Sequence, residues 1–211
     1  MFEHVKQVIR YRELVRNLIL RNLKVRYRNS LLGFLWAWGN PIMMTTVFTM
    51  VFSVLQKSSV TRFPLFIMVA WLVWSFTTSA INEGVGSVAN NSALVKKIYF
   101  PREVLPIATV LANAANFLLA LPLVGILILY FGVEVRPTVL VYFPIILVAQ
   151  IALVMGVTLL LSALNVYYRD TGVVTGVFLT AWFFLTPVFY PVQFLTGMWN
   201  GIDLGRVAYI L

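Results

Sequence analysis

The sequence predicts an all-α integral membrane protein, and three observations support this prediction. Of the 211 residues, 61% are hydrophobic and only 11% are charged, whereas soluble domains are about half apolar and about a quarter charged. The mean hydropathy is +0.90. Long apolar stretches recur along the chain, and charged residues, proline or glycine separate them. Because so few polar residues cannot cover a water-facing surface, we expect lipid to surround most of the chain.

Five apolar stretches are long enough to cross a bilayer, since a spanning helix needs about 20 residues. They are residues 31–55, 63–81, 105–131, 139–164 and 173–189. We therefore expect a transmembrane domain over residues 31–192 and an extracytoplasmic segment over residues 193–211. The first stretch is longer than the apolar part of a signal peptide, so we expect it to be retained.

Lysine and arginine indicate the orientation, because cytoplasmic loops of membrane proteins are enriched in them. Residues 1–30 hold eight, and Lys96, Lys97, Arg102 and Arg169 bring that side to twelve. The opposite side holds four, namely Lys57, Arg62, Arg136 and Arg206. The pattern therefore predicts a cytoplasmic N-terminus and a cytoplasmic loop over residues 82–104.

Residues 1–30 are predicted to form an amphipathic helix at the membrane interface. Polar side chains recur at helical spacing on one face, at Lys6, Arg10, Glu13, Asn17, Arg21, Lys24 and Arg28. The opposite face holds Val8, Tyr11, Val15, Ile19 and Leu23. A cationic face opposite an apolar one suits an anionic leaflet, and packing on a partner protein is the alternative. We expect no nucleic-acid binding, because the basic residues adjoin a membrane span.

The residue types exclude several kinds of catalysis. The chain has no cysteine and only His4, which excludes thiolate chemistry and histidine-based metal sites or triads. It has no G-x-x-x-x-G-K-[ST] motif for nucleotide phosphates. All seven acidic residues fall in predicted loops or at span ends, whereas proton-coupled carriers need ionisable groups at membrane depth. We therefore predict a chain that is not an enzyme and has no cofactor of its own, and any energy for transport would come from another protein.

The loop over residues 82–104 is the best candidate for receiving that energy. Residues 90–92, Asn-Asn-Ser, can cap a short helix, and Pro101 would end it. A short helix held between two spans can transmit a push from a partner. The alternative is an ordinary loop whose Lys96 and Lys97 only anchor the topology.

Four stretches of the sequence resemble the permeases of ABC type-2 transporters that export polysaccharides such as O-antigen, capsule and teichoic acid. They are NSALVKKIYFPREVLP at 91–106, YRNSLLGFLW at 27–36 with Pro41 after it, LNVYYRDT at 164–171 and TPVFYP at 186–191. The resemblance covers about residues 15–192. The four stretches follow the order and the membrane sides of that family.

The resemblance implies a homodimer that works with two copies of a separate ATPase, which binds ATP and Mg. It implies a coupling helix over about residues 91–100 that docks on the ATPase through Asn91, Ser92, Leu94, Val95, Lys96, Lys97, Ile98, Tyr99 and Phe100. Family members have six spans, whereas residues 197–211 carry no sixth span and the usual Asn-Pro after the fifth is missing. We therefore expect a truncated chain.

The implied cargo is a polyprenyl-diphosphate-linked glycan that crosses the inner membrane of a bacterium. Candidate contacts of the diphosphate are Arg26, Arg28, Lys97 and Arg102, with salt bridges to the ATPase as the alternative. Candidate aromatic residues along the glycan path are Trp71, Trp74, Phe183, Phe184 and Tyr190, because flat rings with apolar faces stack on sugars. The alternative for these rings is the interfacial aromatic belt of membrane proteins.

Three amides lie inside predicted spans, at Asn113, Asn116 and Gln150. Polar groups at membrane depth need partners, so these side chains either bond between helices or face a wet channel. Pro187 and Pro191 are expected to break the fifth span near the outer leaflet. Export of a small lipid or a drug, and a scaffold or membrane enzyme without transport, are the alternative functions.

Overall fold

The computed structural model describes residues 11–27, 35–56, 62–97 and 100–186, and all regular structure in these ranges is helical. The helices are α1 (Arg12–Tyr27), α2 (Trp36–Gln56), α3 (Phe63–Val85), α4 (Ser87–Asn90), α5 (Ser92–Lys97), α6 (Val104–Tyr130), α7 (Thr138–Tyr167) and α8 (Thr171–Leu185). The predicted all-α class is therefore confirmed for the part of the chain that is described.

Each of the predicted spans corresponds to one long helix. Among the described residues, α3, α6 and α7 are long and apolar enough to cross a bilayer. Helix α2 has 21 residues but begins with the polar stretch around Asn40, and α8 has 15 described residues. The count of five crossings therefore stays a prediction. The predicted break at Pro187 and Pro191, the segment 193–211 and the truncation lie outside the described residues.

Helix α3 lies at the centre and packs against α2, α6, α7 and α8. Its buried stripe includes Leu72, Phe76 and Ile81. Phe76 faces Phe117 of α6 with ring centroids 5.7 Å apart. Because lipid tails are as apolar as these side chains, close packing and interhelical hydrogen bonds hold the helices together more than burial from water does.

Local sequence explains where two helices end. Helix α6 ends at Tyr130, and Gly132 just beyond it has a φ of +59°, which suits a residue without a Cβ atom. The amide of Val133 then donates to the carbonyl of Ile128 at 3.0 Å, which closes the helix end. Helix α8 ends at Leu185, and Thr186 adopts an extended backbone with ψ of 135°. This conformation is the one favoured before a proline such as Pro187.

The contact between α3 and α7 depends on Gly84. A Cβ atom at this position would lie 2.1 Å from Cγ2 of Thr158. Thr158 is fully buried, with 0% of its surface exposed. The missing side chain of Gly84 therefore provides the space that Thr158 fills, as small residues do where helices approach closely in membranes.

We predict that Gly84→Ala destabilises the protein by about 1–3 kcal/mol, the usual effect of adding a methyl group to a filled contact. The measurement is the midpoint of thermal unfolding in detergent. Gly125→Ala on α6 is the matched control, because no atom lies within 4 Å of a Cβ atom there. The double variant Gly84→Ala/Thr158→Ala should recover stability, and failure to recover would contradict this account of the contact.

Candidate functional site

Helix α1 lies against the start of α6 through its apolar face. Val15 and Leu18 are buried against Phe100, Val104 and Leu105. Part of the face predicted to be polar, at Glu13, Asn17, Arg21 and Lys24, is exposed. Helix α1 thus has a buried apolar side and exposed polar residues, whereas an N-terminal helix at the membrane interface, with its cationic face on lipid headgroups, stays a prediction. Lys6, Val8, Arg10 and Arg28 lie outside the described residues.

Within the range of the predicted coupling helix, about residues 91–100, the structure forms the short helix α5, and α4 comes just before it. On α5, Lys96 and Lys97 are exposed, so their ammonium groups face away from the helical body. Leu94 and Val95 are partly buried and pack against the cluster formed by α1 and α6. The helix therefore presents its charged end outward while its apolar side holds it in place. Ile98 and Tyr99 lie outside the described residues.

Two residues of the predicted coupling segment hold the loop to the rest of the chain. The side-chain amide of Asn91 donates to the carbonyl of Ser87 at 2.8 Å, and its oxygen accepts a hydrogen bond from Arg21 at 3.4 Å. Phe100 is only 8% exposed and packs beneath α1. Asn91 and Phe100 thus link the segment to α1, whereas Ser92, Lys96 and Lys97 form its exposed surface.

A charged cluster joins α1, α3 and α6. The guanidinium of Arg26 forms an ion pair with Glu83 and donates to the side-chain oxygen of Asn113 at 2.9 Å. Asn113 donates to the other carboxylate oxygen of Glu83 at 2.9 Å and to the carbonyl of Thr109 at 3.1 Å. Asn113 is 2% exposed. Each member of this cluster therefore contacts the other two, and together they tie three helices at one point.

The role of Glu83 was missed from the sequence, because the loop was predicted to begin at residue 82. In the structure α3 continues through Val85, so Glu83 lies in its last turn. There the carboxylate of Glu83 pairs with Arg26 and Asn113, and Gly86 follows the end of the helix as its cap. The available signal was an acidic residue adjoining a span in a chain with 16 basic and only seven acidic residues.

The predicted interhelical role of the amides is confirmed for Asn113 and Gln150. The amide of Gln150 on α7 donates to the hydroxyl of Thr77 on α3 at 2.8 Å. That hydroxyl donates in turn to the carbonyl of Val73 at 2.9 Å. Polar groups at membrane depth are satisfied inside the protein in this way, which links α7 to α3.

Asn116 lines a polar cavity of about 390 Å³ between α2, α3 and α6. Its polar lining residues are Arg26, Asn40, Ser75, Ser79, Asn113 and Asn116. A second, open groove of about 600 Å³ runs between α1, α4 and α6. Arg26 lines both spaces, so they adjoin at its side chain. Of the other candidate diphosphate contacts, Lys97 and Arg102 are exposed on the loop, and Arg28 lies outside the described residues.

The structure brings most of the candidate glycan-path aromatics together. Trp71 and Trp74 of α3 pack in one cluster with Phe183 of α8. The rings of Trp74 and Phe183 lie 5.4 Å apart, and Phe184 stacks edge-on against Phe183 at 5.3 Å. Phe184 is 70% exposed. Tyr190 lies outside the described residues.

These features define a multi-pass helical membrane protein with a charged junction at one end of its helices and an exposed basic helix beside it. The chain belongs to the ABC-2 type transporter family, whose model matches residues 13–205. Membership of this family implies a partner ATPase, and it makes the chain the membrane subunit of a transporter.

Similar proteins carry a more specific name. The chain is 36% identical over 193 residues to the "O-antigen export system permease protein RfbA" of Myxococcus xanthus, which covers 92% of this chain and 74% of that protein. It is 26% identical over 182 residues to a protein of the same name from Klebsiella pneumoniae, which covers 86% of this chain and 70% of that protein.

We predict that Glu83→Gln loosens α1, because the guanidinium of Arg26 loses its ionic partner. An ion pair with this degree of exposure contributes about 0.5–1 kcal/mol, so hydrogen–deuterium exchange over residues 12–27 should become about two- to five-fold faster. Glu134→Gln, an exposed residue of the α6–α7 connection, is the matched control and should leave the exchange unchanged. Equal exchange in both variants would contradict a role of Glu83 in holding α1.

Proposed function

We propose that this chain is the permease subunit of an ATP-driven exporter that moves a lipid-linked polysaccharide outward across the cytoplasmic membrane of a bacterium. The observation that supports it is the similarity, over 92% of the chain, to a permease named for O-antigen export. In this proposal two copies of the chain assemble with two ATPase subunits. The ATPases bind ATP and Mg, and the N-terminus and the α4–α5 loop face the cytoplasm.

Helix α5 is the proposed docking point of the ATPase. The exposed Lys96 and Lys97 end a helix of only six residues, and Leu94 and Val95 anchor it to the α1–α6 cluster. Two exposed cations on a short, anchored element suit an acidic surface on the partner. Because Leu94 and Val95 pack against residues of α1 and α6, a displacement of α5 is expected to displace those residues as well.

The contacts continue from α5 to the spanning helices. Leu94 and Phe100 belong to the cluster that also holds Val15 and Leu18 of α1, and Arg26 at the far end of α1 contacts α3 and α6. A ligand shifts a conformational equilibrium only by binding one state better than the other. In the proposed mechanism the ATPase binds α5 more tightly in one nucleotide state. The resulting displacement of α5 then shifts α1, and with it the charged cluster.

The aromatic cluster of Trp71, Trp74 and Phe183 is the proposed contact surface for the glycan. Its rings come from α3 and α8, so a change in the contact between these helices changes the spacing of the rings. Stacking on apolar ring faces tolerates many sugars, which suits a long and repetitive chain. The exposed ring of Phe184 extends this surface.

We predict that reversing the charges with Lys96→Glu/Lys97→Glu reduces co-purification of the ATPase at least ten-fold and abolishes export, because the acidic partner surface would be repelled. Pull-down of the tagged chain and surface detection of the glycan measure the two effects. Arg136→Glu, an exposed cation on the opposite predicted side, is the control and should retain both. Intact pull-down and export in the double variant would refute the docking role.

We predict that Phe183→Leu slows glycan export several-fold while the ATPase still co-purifies, because the variant loses a flat ring and keeps an apolar side chain. Phe178→Leu is the matched control on the same helix, since Phe178 is 63% exposed and lies outside the cluster around Trp74. The measurement is the rate at which labelled glycan reaches the cell surface. The same slowing in both variants would show a general effect of α8 rather than contact with sugar.

A further inference from the structure

The polar cavity lies deep between helices that are otherwise apolar. It extends along α3 from Ser79 to Leu72, a distance of about 10 Å at 1.5 Å per helical residue. On α6 it reaches from Asn113 to Ala120, and on α2 Trp36 and Asn40 line it. The cavity therefore begins at the charged cluster and leads into the membrane-spanning part of the protein.

The chemistry of the lining is unusual for membrane depth. Amides, hydroxyls and one guanidinium face a space of about 390 Å³, although polar groups in a bilayer must face protein, water or a polar ligand. This volume lies within the range of about 300–1,000 Å³ typical of small-molecule sites. Trp36, Phe76 and Phe117 add aromatic surfaces to the same lining. The space thus offers hydrogen-bond donors and acceptors beside flat apolar faces.

Amide side chains carry two donors and an acceptor, and serine hydroxyls both donate and accept. Asn40, Asn116, Ser75 and Ser79 can therefore bond the hydroxyl groups of a sugar ring, while an aromatic face stacks on it. Arg26 lines the end of the cavity that adjoins the open groove. A guanidinium has five N–H donors that match the oxygens of a phosphate.

We propose that this cavity, in each copy of the chain, binds a glycosyl diphosphate, with the sugar between α2, α3 and α6 and the phosphate on Arg26. The inference rests on the proposed function, because it places the sugar-phosphate head of the cargo. The phosphate takes the place of Glu83 on Arg26, since both are anions and Glu83 is 49% exposed at its side chain. The open groove beside α1 is the route by which the head reaches the cavity.

Because the chain contains no cysteine, a single introduced thiol reports the cavity directly. Ser79→Cys places a thiol in the lining, and Val148→Cys places one on α7, a helix apolar enough to cross a bilayer, where the side chain is 67% exposed. The test measures labelling by a charged methanethiosulfonate in native membranes that contain the permease with its ATPase, without ATP. Ser79→Cys should react at least ten-fold faster, because the cavity holds water and lipid excludes the reagent. Equal rates would overturn the proposal.

Protection then identifies the ligand. Farnesyl diphosphate-linked N-acetylglucosamine should slow the labelling of Ser79→Cys at least three-fold, and adding Arg26→Gln should remove that protection. Farnesyl diphosphate and inorganic pyrophosphate are the comparison probes, and both should protect less because they lack the sugar. Equal protection by pyrophosphate would show that the cavity binds anions without recognising the sugar. No protection by the sugar-bearing probe would show that the cavity does not bind it. Either result overturns the proposal.

The labelling and protection experiment can be interpreted independently of the test of ATPase docking. Labelling and protection need no ATP, so a failure of the Lys96→Glu/Lys97→Glu prediction leaves this measurement valid. If the ATPase co-purifies through α5 while Ser79→Cys shows no protection, only the cavity assignment fails. If protection holds while the ATPase does not depend on α5, the head-group site stands and the docking proposal fails.

Discussion

The need of every polar group at membrane depth for a partner governs this structure. Where α1, α3 and α6 meet, the side chains of Arg26, Glu83 and Asn113 form hydrogen bonds and an ion pair with one another. The cation-rich helix α1 is thereby joined to two apolar helices, and the charges of Arg26 and Glu83 are paired. The hydrogen bond from Gln150 to Thr77 does the same between α7 and α3. Lipid offers no competing hydrogen bonds, and these few contacts therefore decide which helices are neighbours.

Helix α5, the proposed docking point of the ATPase, has two different surfaces. The outer end of α5 is charged and exposed, whereas its inner side shares a cluster with Val15 and Phe100. In the proposed mechanism, a displacement of the outer surface reaches α1 through packed side chains and reaches α3 through the ion pair of Arg26 with Glu83. Under the proposed function, this arrangement would keep the ATPase outside the membrane while its effect reaches the spanning helices.

Much of the helical pattern could be predicted because composition and helical period act locally. The apolar stretches became α2, α3, α6, α7 and α8, and the spacing of Val15 and Ile19 indicated the face of α1 that packs. The pairing of Arg26 with Glu83 could not be predicted, since 57 residues separate them along the chain. The contact of Trp71 and Trp74 with Phe183 likewise could not be predicted from the sequence, because α3 and α8 become neighbours only through packing.

The sequence by itself determined that the chain is helical, lies in a membrane, lacks cysteine chemistry and presents its lysines at a loop between two spans. These properties follow from residue type and from periods of three to four residues, which need no knowledge of distant contacts. Only the tertiary structure decided that Asn91 and Phe100 bind the loop to α1, that Glu83 closes the junction, and that Ser79 and Asn116 share one cavity. The reason is that each of these relations joins residues from different helices, and the crossing of helices depends on side-chain packing over the whole domain.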